Sequence, residues 1–573
     1  MRNHNGARGE SRASGLWSVR RGGRGSGARS RSAKRGLVAL GALALAAPLA
    51  ASAGPGQQQV DTYVAPALES LAATQPDASV KVIVGSDRSA GRAAGALEEA
   101  GYADARKLPI VDAAAADVRA GDLPQIAESP GLVIVPDTLV ATDGLGTRGS
   151  KKRWSPHDRP AATPTELWAS AVGLDRLPSS AGRAETPSIA FVDSGINASR
   201  NDFAGRVRAQ VTLTSLPGNS PGDGRGHGTF VAGLAAGGAQ GHPGAAPDAG
   251  IVSIDVMDDR GIARTSDVIA GAQWILRNRK QHDIRVANFS LQSASPSSFR
   301  WDPLDEAIEQ LWLSGVVVVA SAGNYGNGHS TRVAYGPAND PFVISVGALD
   351  LNSSAEPARA TVPGWSTWGY TYDGFAKPEL SAPGRALLGP IPAGSTLARE
   401  RPRQLSSGPG EPYMTLSGTS LAAPIVAGIA ADLLMLHPSF TPDQVKGALM
   451  LTARPVPGAG RAAGVGEVYA PAAASLDAPP NPNQALDEFL VPGPAGGATF
   501  DDAAWLAAVK ASPGWDAASW LDGWAGAAWS LVSWSDVSWS DVSWSDVSWS
   551  DVSWADVSWL DVSWLDVTGD VGP

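Results

Sequence analysis

Cysteine is missing from all 573 residues, which excludes disulfides, a thiol nucleophile and any thiolate-held metal. Positive charge is in deficit. Lys and Arg number 45 against 56 Asp and Glu, a formal charge of −11, and the basic side chains are unevenly spread. Arg2, Arg8, Arg12, Arg20, Arg21, Arg24, Arg29, Arg31, Lys34 and Arg35 crowd the start of the chain with only Glu10 against them. An apolar run follows over 36–50 and ends in Ala51-Ser52-Ala53. A basic arm, a short apolar run and an A-x-A end make 1–53 a secretory signal, too short in its apolar part to span a bilayer comfortably. The rest of the chain holds 35 basic and 55 acidic side chains, a formal charge of −20. So acidic a mature chain is poorly suited to nucleic acid or anionic membranes. We expect a secreted protein with no membrane span once the signal is removed.

An apolar content of 43% over this length leaves room for more than one core. Residues 54–140 read as a small α+β domain, with strand-like runs at 80–84, 105–117 and 131–135 and helical patterns at 90–100 and 122–128. A polar, Gly-rich, basic stretch at 141–160 reads as an exposed linker open to proteolysis. The pattern changes over 161–470. Near-continuous apolar runs at 188–192, 251–256, 285–291, 316–321 and 342–346 alternate with helical patterns at 228–236, 265–279 and 303–314. That order predicts an α/β domain with a mainly parallel sheet between helical layers, and ligands at the carboxyl ends of its strands.

Three polar groups fall where that rule wants them. Asp193 ends the strand at 188–192, His227 stands directly before a helix in Gly226-His227-Gly228-Thr229, and Asn324 follows the strand at 316–321 in Ala322-Gly323-Asn324. A hydroxyl comes later. Leu416-Ser417-Gly418-Thr419-Ser420-Leu421-Ala422-Ala423-Pro424 leads into an apolar run, 425–436, that reads as a buried helix. A serine in the first turn of such a helix sits among unpaired N–H groups at the positive end of the dipole, which suits a nucleophile next to a developing anion. Taken alone, the stretch reads equally as an ordinary helix cap. The other histidines, His4, His157, His242, His282, His329 and His437, have no comparable setting.

Asp193-Ser194-Gly195, His227-Gly228-Thr229 and Gly418-Thr419-Ser420-Leu421-Ala422-Ala423-Pro424 resemble, in this order, the three active-site signatures of the subtilisin-family serine proteases, the subtilases. Asn324 matches the family's oxyanion position. The resemblance covers about 167–453. It implies a subtilisin-like three-layer α/β domain and a serine endopeptidase acting on proteins or peptides. Ser420 would be the nucleophile, His227 the base and then the acid, and Asp193 the group that holds the imidazole. The Asn324 amide and the Ser420 N–H would receive the oxyanion. The resemblance also implies a substrate-binding cleft between Ser290, Leu291 and Gln292 on one side and Ala322 and Gly323 on the other. The family usually has glycine where Gln292 stands, so a side chain here narrows or polarises the pocket, or else points to solvent. No cofactor for catalysis is implied. Structural calcium is common in the family, and the acidic segments 255–259 and 197–202 offer oxygen atoms, but no spacing singles out metal ligands. The domain at 54–140 resembles the family's inhibitory propeptide, which would make the chain an autoprocessed zymogen cut within 141–160. A Gly/Pro-rich insertion at 383–411 reads as a lid or a surface loop.

Residues 471–523 begin Pro/Ala-rich and read as a linker. Beyond them tryptophan recurs every fifth residue from Trp524 to Trp564, in units of Ser-Asp-Val-Ser-Trp. Period five makes no single face on a helix or a straight strand. It suits either a square β-solenoid like the pentapeptide repeats or an extended, low-complexity, disordered tail. An outward tryptophan ladder suits cell-wall glycan or another surface, so a surface-attachment protein is the rival to the endopeptidase.

Overall fold

The computed structural model describes residues 62–86, 89–142, 163–177, 185–406, 411–493 and 497–511. The segment 1–53 read as a signal and the tryptophan repeats lie outside them. Seven strands form one parallel sheet in the order Leu380–Pro383, Ile344–Leu349, Val317–Ser321, Ile284–Phe289, Ser188–Asp193, Ile251–Asp255, Val207–Thr212. Ser188–Asp193, Ile251–Asp255 and Val317–Ser321 are buried at every position, which is why they read as unbroken apolar runs. Val207–Thr212 at the edge alternates half-buried and exposed residues, a run too polar to stand out as a strand. After Ser188–Asp193 the chain builds the sheet to one side, then crosses to lay Ile284–Phe289 and its successors on the other. Asp193 therefore ends a strand at the switch point, where open α/β sheets bind ligands.

Helices His227–Ala236 and Thr419–Leu436 pack together on the sheet, and Thr265–Asn278 with Pro303–Leu313 form a second pair, giving three layers. Among the described residues Thr419–Leu436 is the one helix long and apolar enough to cross a membrane, and 89% of it is buried inside the protein. It is a core helix, apolar all round because protein surrounds it.

The small domain has five strands in the order Tyr63–Val64, Leu132–Pro136, Ser79–Ser86, Ala113–Arg119, Arg106–Leu108, with helices Pro66–Thr74 and Ala90–Glu99. Along Ser79–Ser86 the side chains alternate between two cores. Val82 and Val84 join the domain's own core, whereas Ile83 is buried in the core of the large domain. The seam also carries polar contacts, among them the ion pair of Arg106 with Asp267. Asp137 accepts from the N–H and hydroxyl of Ser266, at 2.9 and 2.7 Å, in the first turn of Thr265–Asn278. An anion is favoured at that helix end, although burial pushes the Asp137 carboxyl up.

Three boundaries differ from those expected. The segment assigned to the linker from residue 141 is still strand at that residue, because Leu139–Ala141 pairs with the large domain. The 471–523 linker is folded up to Ala511: Gln484–Asp487, the hairpin Leu490–Pro492 with Ala498–Phe500, and Asp502–Ala511 return to the large domain. Trp505 is fully buried, stacked on Phe375 at 5.6 Å and edge-on to Phe299 at 5.6 Å, and Asp502 pairs with Arg300 at 2.8 Å. The Pro and Ala content masks three aromatics, Phe489, Phe500 and Trp505, that supply enough apolar area to dock the segment. The insertion at 383–411 is a brace: Leu387–Pro390 pairs with Tyr413–Leu416, and Thr396–Glu400 is a helix whose first N–H groups reach the carbonyls of Gly224 and Arg225.

Candidate active site

Asp193 is the last residue of its strand and His227 the first of its helix. Nδ1 of His227 lies 2.8 and 3.0 Å from the two carboxylate oxygens of Asp193, and both side chains are buried. The Ser194 N–H gives the same carboxylate a further donor at 2.8 Å. Backbone contact brings the two segments this close. A Cβ on Gly228 would lie 2.1 Å from the Gly195 carbonyl oxygen, so any larger residue would push them apart. Asp223, not anticipated from the sequence, caps the turn before His227. It is buried and accepts from the N–H groups of Gly226 (2.6 Å) and Thr229 (2.7 Å) and from the Ser194 hydroxyl (2.9 Å). Burial pushes its carboxyl up to about 7. An aspartate a few residues ahead of a helix is a capping signal, and that was the available cue.

Ser420 is the second residue of Thr419–Leu436. Pro424 lies inside the helix, so the Ser420 carbonyl lacks the N–H that would normally bond it. The Ser290 hydroxyl supplies the donor at 2.8 Å and is itself held by Asn288 Nδ2 at 2.8 Å. Thr419 directs the Asn324 amide. Its N–H and hydroxyl donate to Asn324 Oδ1 at 2.9 and 3.1 Å, and the hydroxyl accepts from the Gly323 N–H at 3.0 Å. With Oδ1 engaged, Nδ2 is the end turned toward the serine. A Cβ on Gly418 would lie 2.9 Å from Ser420 Oγ, 3.5 Å from Asn324 Nδ2 and 3.7 Å from the Ser420 backbone nitrogen. These atoms surround one small space, open because residue 418 has no side chain.

A strand leads toward that space. Leu139–Ala141 lies between Ile262–Arg264 and Gln292–Ser293, antiparallel to both, with Ala141 opposite Ile262 and Gln292. Main-chain bonds extend the pairing, from Ala294 to the Leu139 carbonyl at 2.8 Å and from Thr265 to that of Thr138 at 2.9 Å. Ser290, Leu291 and Gln292, expected to form one side of a substrate cleft, and Ala322 and Gly323, expected on the other, are all buried, with Gln292 reaching across to Ala322. Gln292 does not face solvent: it is buried and donates to the Ala322 carbonyl at 3.3 Å.

The carboxylates considered as calcium ligands are engaged by protein donors. Asp255 accepts from Asn219 at 2.7 Å, Asp258 from Arg260 at 2.8 Å, Asp259 from Ser220 at 2.6 Å and Asp202 from Arg200 at 2.9 Å. Among the described residues no group of three or more His, Asp or Glu is placed to hold a metal. These carboxylates are turned to separate protein donors rather than gathered around a common point.

A buried carboxylate–imidazole pair at a strand end, and a serine at a helix start with an amide turned toward it, are the groups that serine hydrolases use. Comparison narrows the class. The pattern of the Subtilase family (Peptidase_S8) matches residues 184–466. Serine protease AprX of Bacillus subtilis is 34% identical over 268 residues, 45% of this chain and 59% of AprX. Subtilisin DY of Bacillus licheniformis is 32% identical over 284 residues, 49% of this chain and 89% of its own. Subtilisin E of Bacillus subtilis is 28% identical over 393 residues, 67% of this chain and 88% of its own. Among solved structures, fervidolysin from Fervidobacterium pennivorans, a keratinolytic enzyme related to subtilisin, shares the fold. The TM-score is 0.53 with 24% identity, over 74% of this chain and 63% of that one. The chain belongs to the subtilase family and is a subtilisin-like serine endopeptidase.

Proposed function

We propose that the chain is a secreted zymogen that hydrolyses peptide bonds through Asp193, His227 and Ser420, with residues 62–142 as its inhibitory propeptide. Ser420 Oγ attacks the scissile carbonyl carbon while His227 Nε2 takes the hydroxyl proton. The carbonyl oxygen becomes an anion and receives hydrogen bonds from Asn324 Nδ2 and the Ser420 N–H. His227 passes the proton to the leaving amine, the C–N bond breaks, and an ester remains on Ser420. Water then adds to the ester, losing a proton to His227, which returns it to Ser420 Oγ as the ester bond breaks and the acid leaves. Asp193 holds the Nδ1–H tautomer and stabilises the imidazolium throughout.

The observation that carries this reading is the guest strand Leu139–Ala141, paired on both edges. Strand addition is how extended peptides are recognised by main-chain bonds, so the small domain's end occupies the place of a substrate. The test is processing in culture. Wild-type chain should yield a mature form beginning between residues 143 and 162, while Ser420→Ala should accumulate with the small domain attached. Equal processing of both forms in a protease-deficient host would refute the assignment.

A further inference from the structure

The space over Gly323, next to Asn324, is occupied by side chains. Gln292 is 4% exposed and turns its carboxamide inward onto the Ala322 carbonyl, at 3.3 Å. Gly323 marks how far it reaches. A Cβ there would lie 2.3 Å from Gln292 Nε2, 2.8 Å from Oε1 and 2.6 Å from Cε1 of Tyr325. Amide and ring thus converge over one residue, and only glycine, here at φ 107°, permits it. The filling has backing. Tyr335 packs edge-on against the Tyr325 ring with centroids 4.8 Å apart, and the Tyr325 backbone N–H donates to Thr367 Oγ1 at 3.2 Å.

We propose that Gln292, backed by Tyr325 and Tyr335, shortens the pocket for the residue before the scissile bond, so that the enzyme cuts after short side chains such as Gly, Ala and Ser and rejects Phe, Tyr and Leu. The proposal rests on the endopeptidase reading above, and on a substrate that pairs with Gln292–Ser293 as Leu139–Ala141 does. A bulky side chain would have to expel the carboxamide from the Ala322 carbonyl and leave both polar groups unpaired. It would also overpack a space already occupied by two side chains.

The experiment maps cuts in denatured casein by mass spectrometry, with fluorophosphonate labelling of Ser420 as an independent readout. For mature wild-type enzyme, cuts after Gly, Ala and Ser should outnumber those after Phe, Tyr and Leu by about tenfold or more, corrected for composition. In Gln292→Gly the bulky-to-short ratio should rise by about tenfold, and Gln292→Ala should move it the same way. Wild-type cuts clustered after Phe, Tyr or Leu overturn the proposal, as does an unchanged ratio in variants that still label. Should a variant fail to label, the wild-type map decides alone. Wild-type enzyme that does not label overturns the catalytic reading itself, which separates that failure from a wrong pocket.

Discussion

Asn324 has an amide whose two ends differ only in what they touch, and Thr419 decides which end faces the serine. Asn324→Ala should lower kcat by about 10²–10³, the loss known for removing the corresponding donor of subtilisin, with KM little changed. Thr419→Val keeps the shape but removes the hydroxyl, so kcat should fall by about tenfold, as measured with a chromogenic peptide. Asp223→Asn trades an acceptor for a donor facing backbone N–H groups. It should cost about 1–3 kcal/mol in urea unfolding. The sequence carries Asp193, His227, Asn324 and Ser420 openly, since each sits in a short signature at an element boundary. Thr419 stands inside a signature too, yet its task depends on which oxygen its hydroxyl meets, and spacing along the chain does not encode that. Asp223 left a trace only as a possible cap.

Elements divide in the same way. Most strands buried on both faces announced themselves as apolar runs, but Leu380–Pro383, four residues that include a serine and a proline, did not, although it is buried throughout. The edge strand Val207–Thr212 did not, because half of it faces water. The segment up to Ala511 was hidden by composition, since a few aromatics carry its packing. Trp505→Ala should therefore destabilise the enzyme by about 3–5 kcal/mol in urea unfolding, the range for emptying a buried aromatic site. Pairing partners were also illegible: nothing in Leu139-Val140-Ala141 says that its neighbours are Ile262–Arg264 and Gln292–Ser293.

At the scale of the molecule, three parts of the chain meet around a cavity of about 310 Å³, lined by Val111 and Val133 of the small domain, by Glu306 and Glu309 of Pro303–Leu313 and by Phe500 and Asp502. Glu306 lines this space. Its side chain is exposed at the rim, and Arg300, which also lines the space, pairs with Asp502 at 2.8 Å, so the docked segment brings its own counter-charge to this seam.

The docked segment beyond residue 474 also sets where the gene can be cut. Lys446 is 1% exposed, and Asn483 supplies one of its acceptors at 3.1 Å. An expression clone trimmed to 184–466, the stretch that matches the family, would strip that acceptor from a buried ammonium group and bare Phe299 and Phe375 to water. Such a clone should collect in inclusion bodies, whereas one ending at Ala511 should stay in the supernatant.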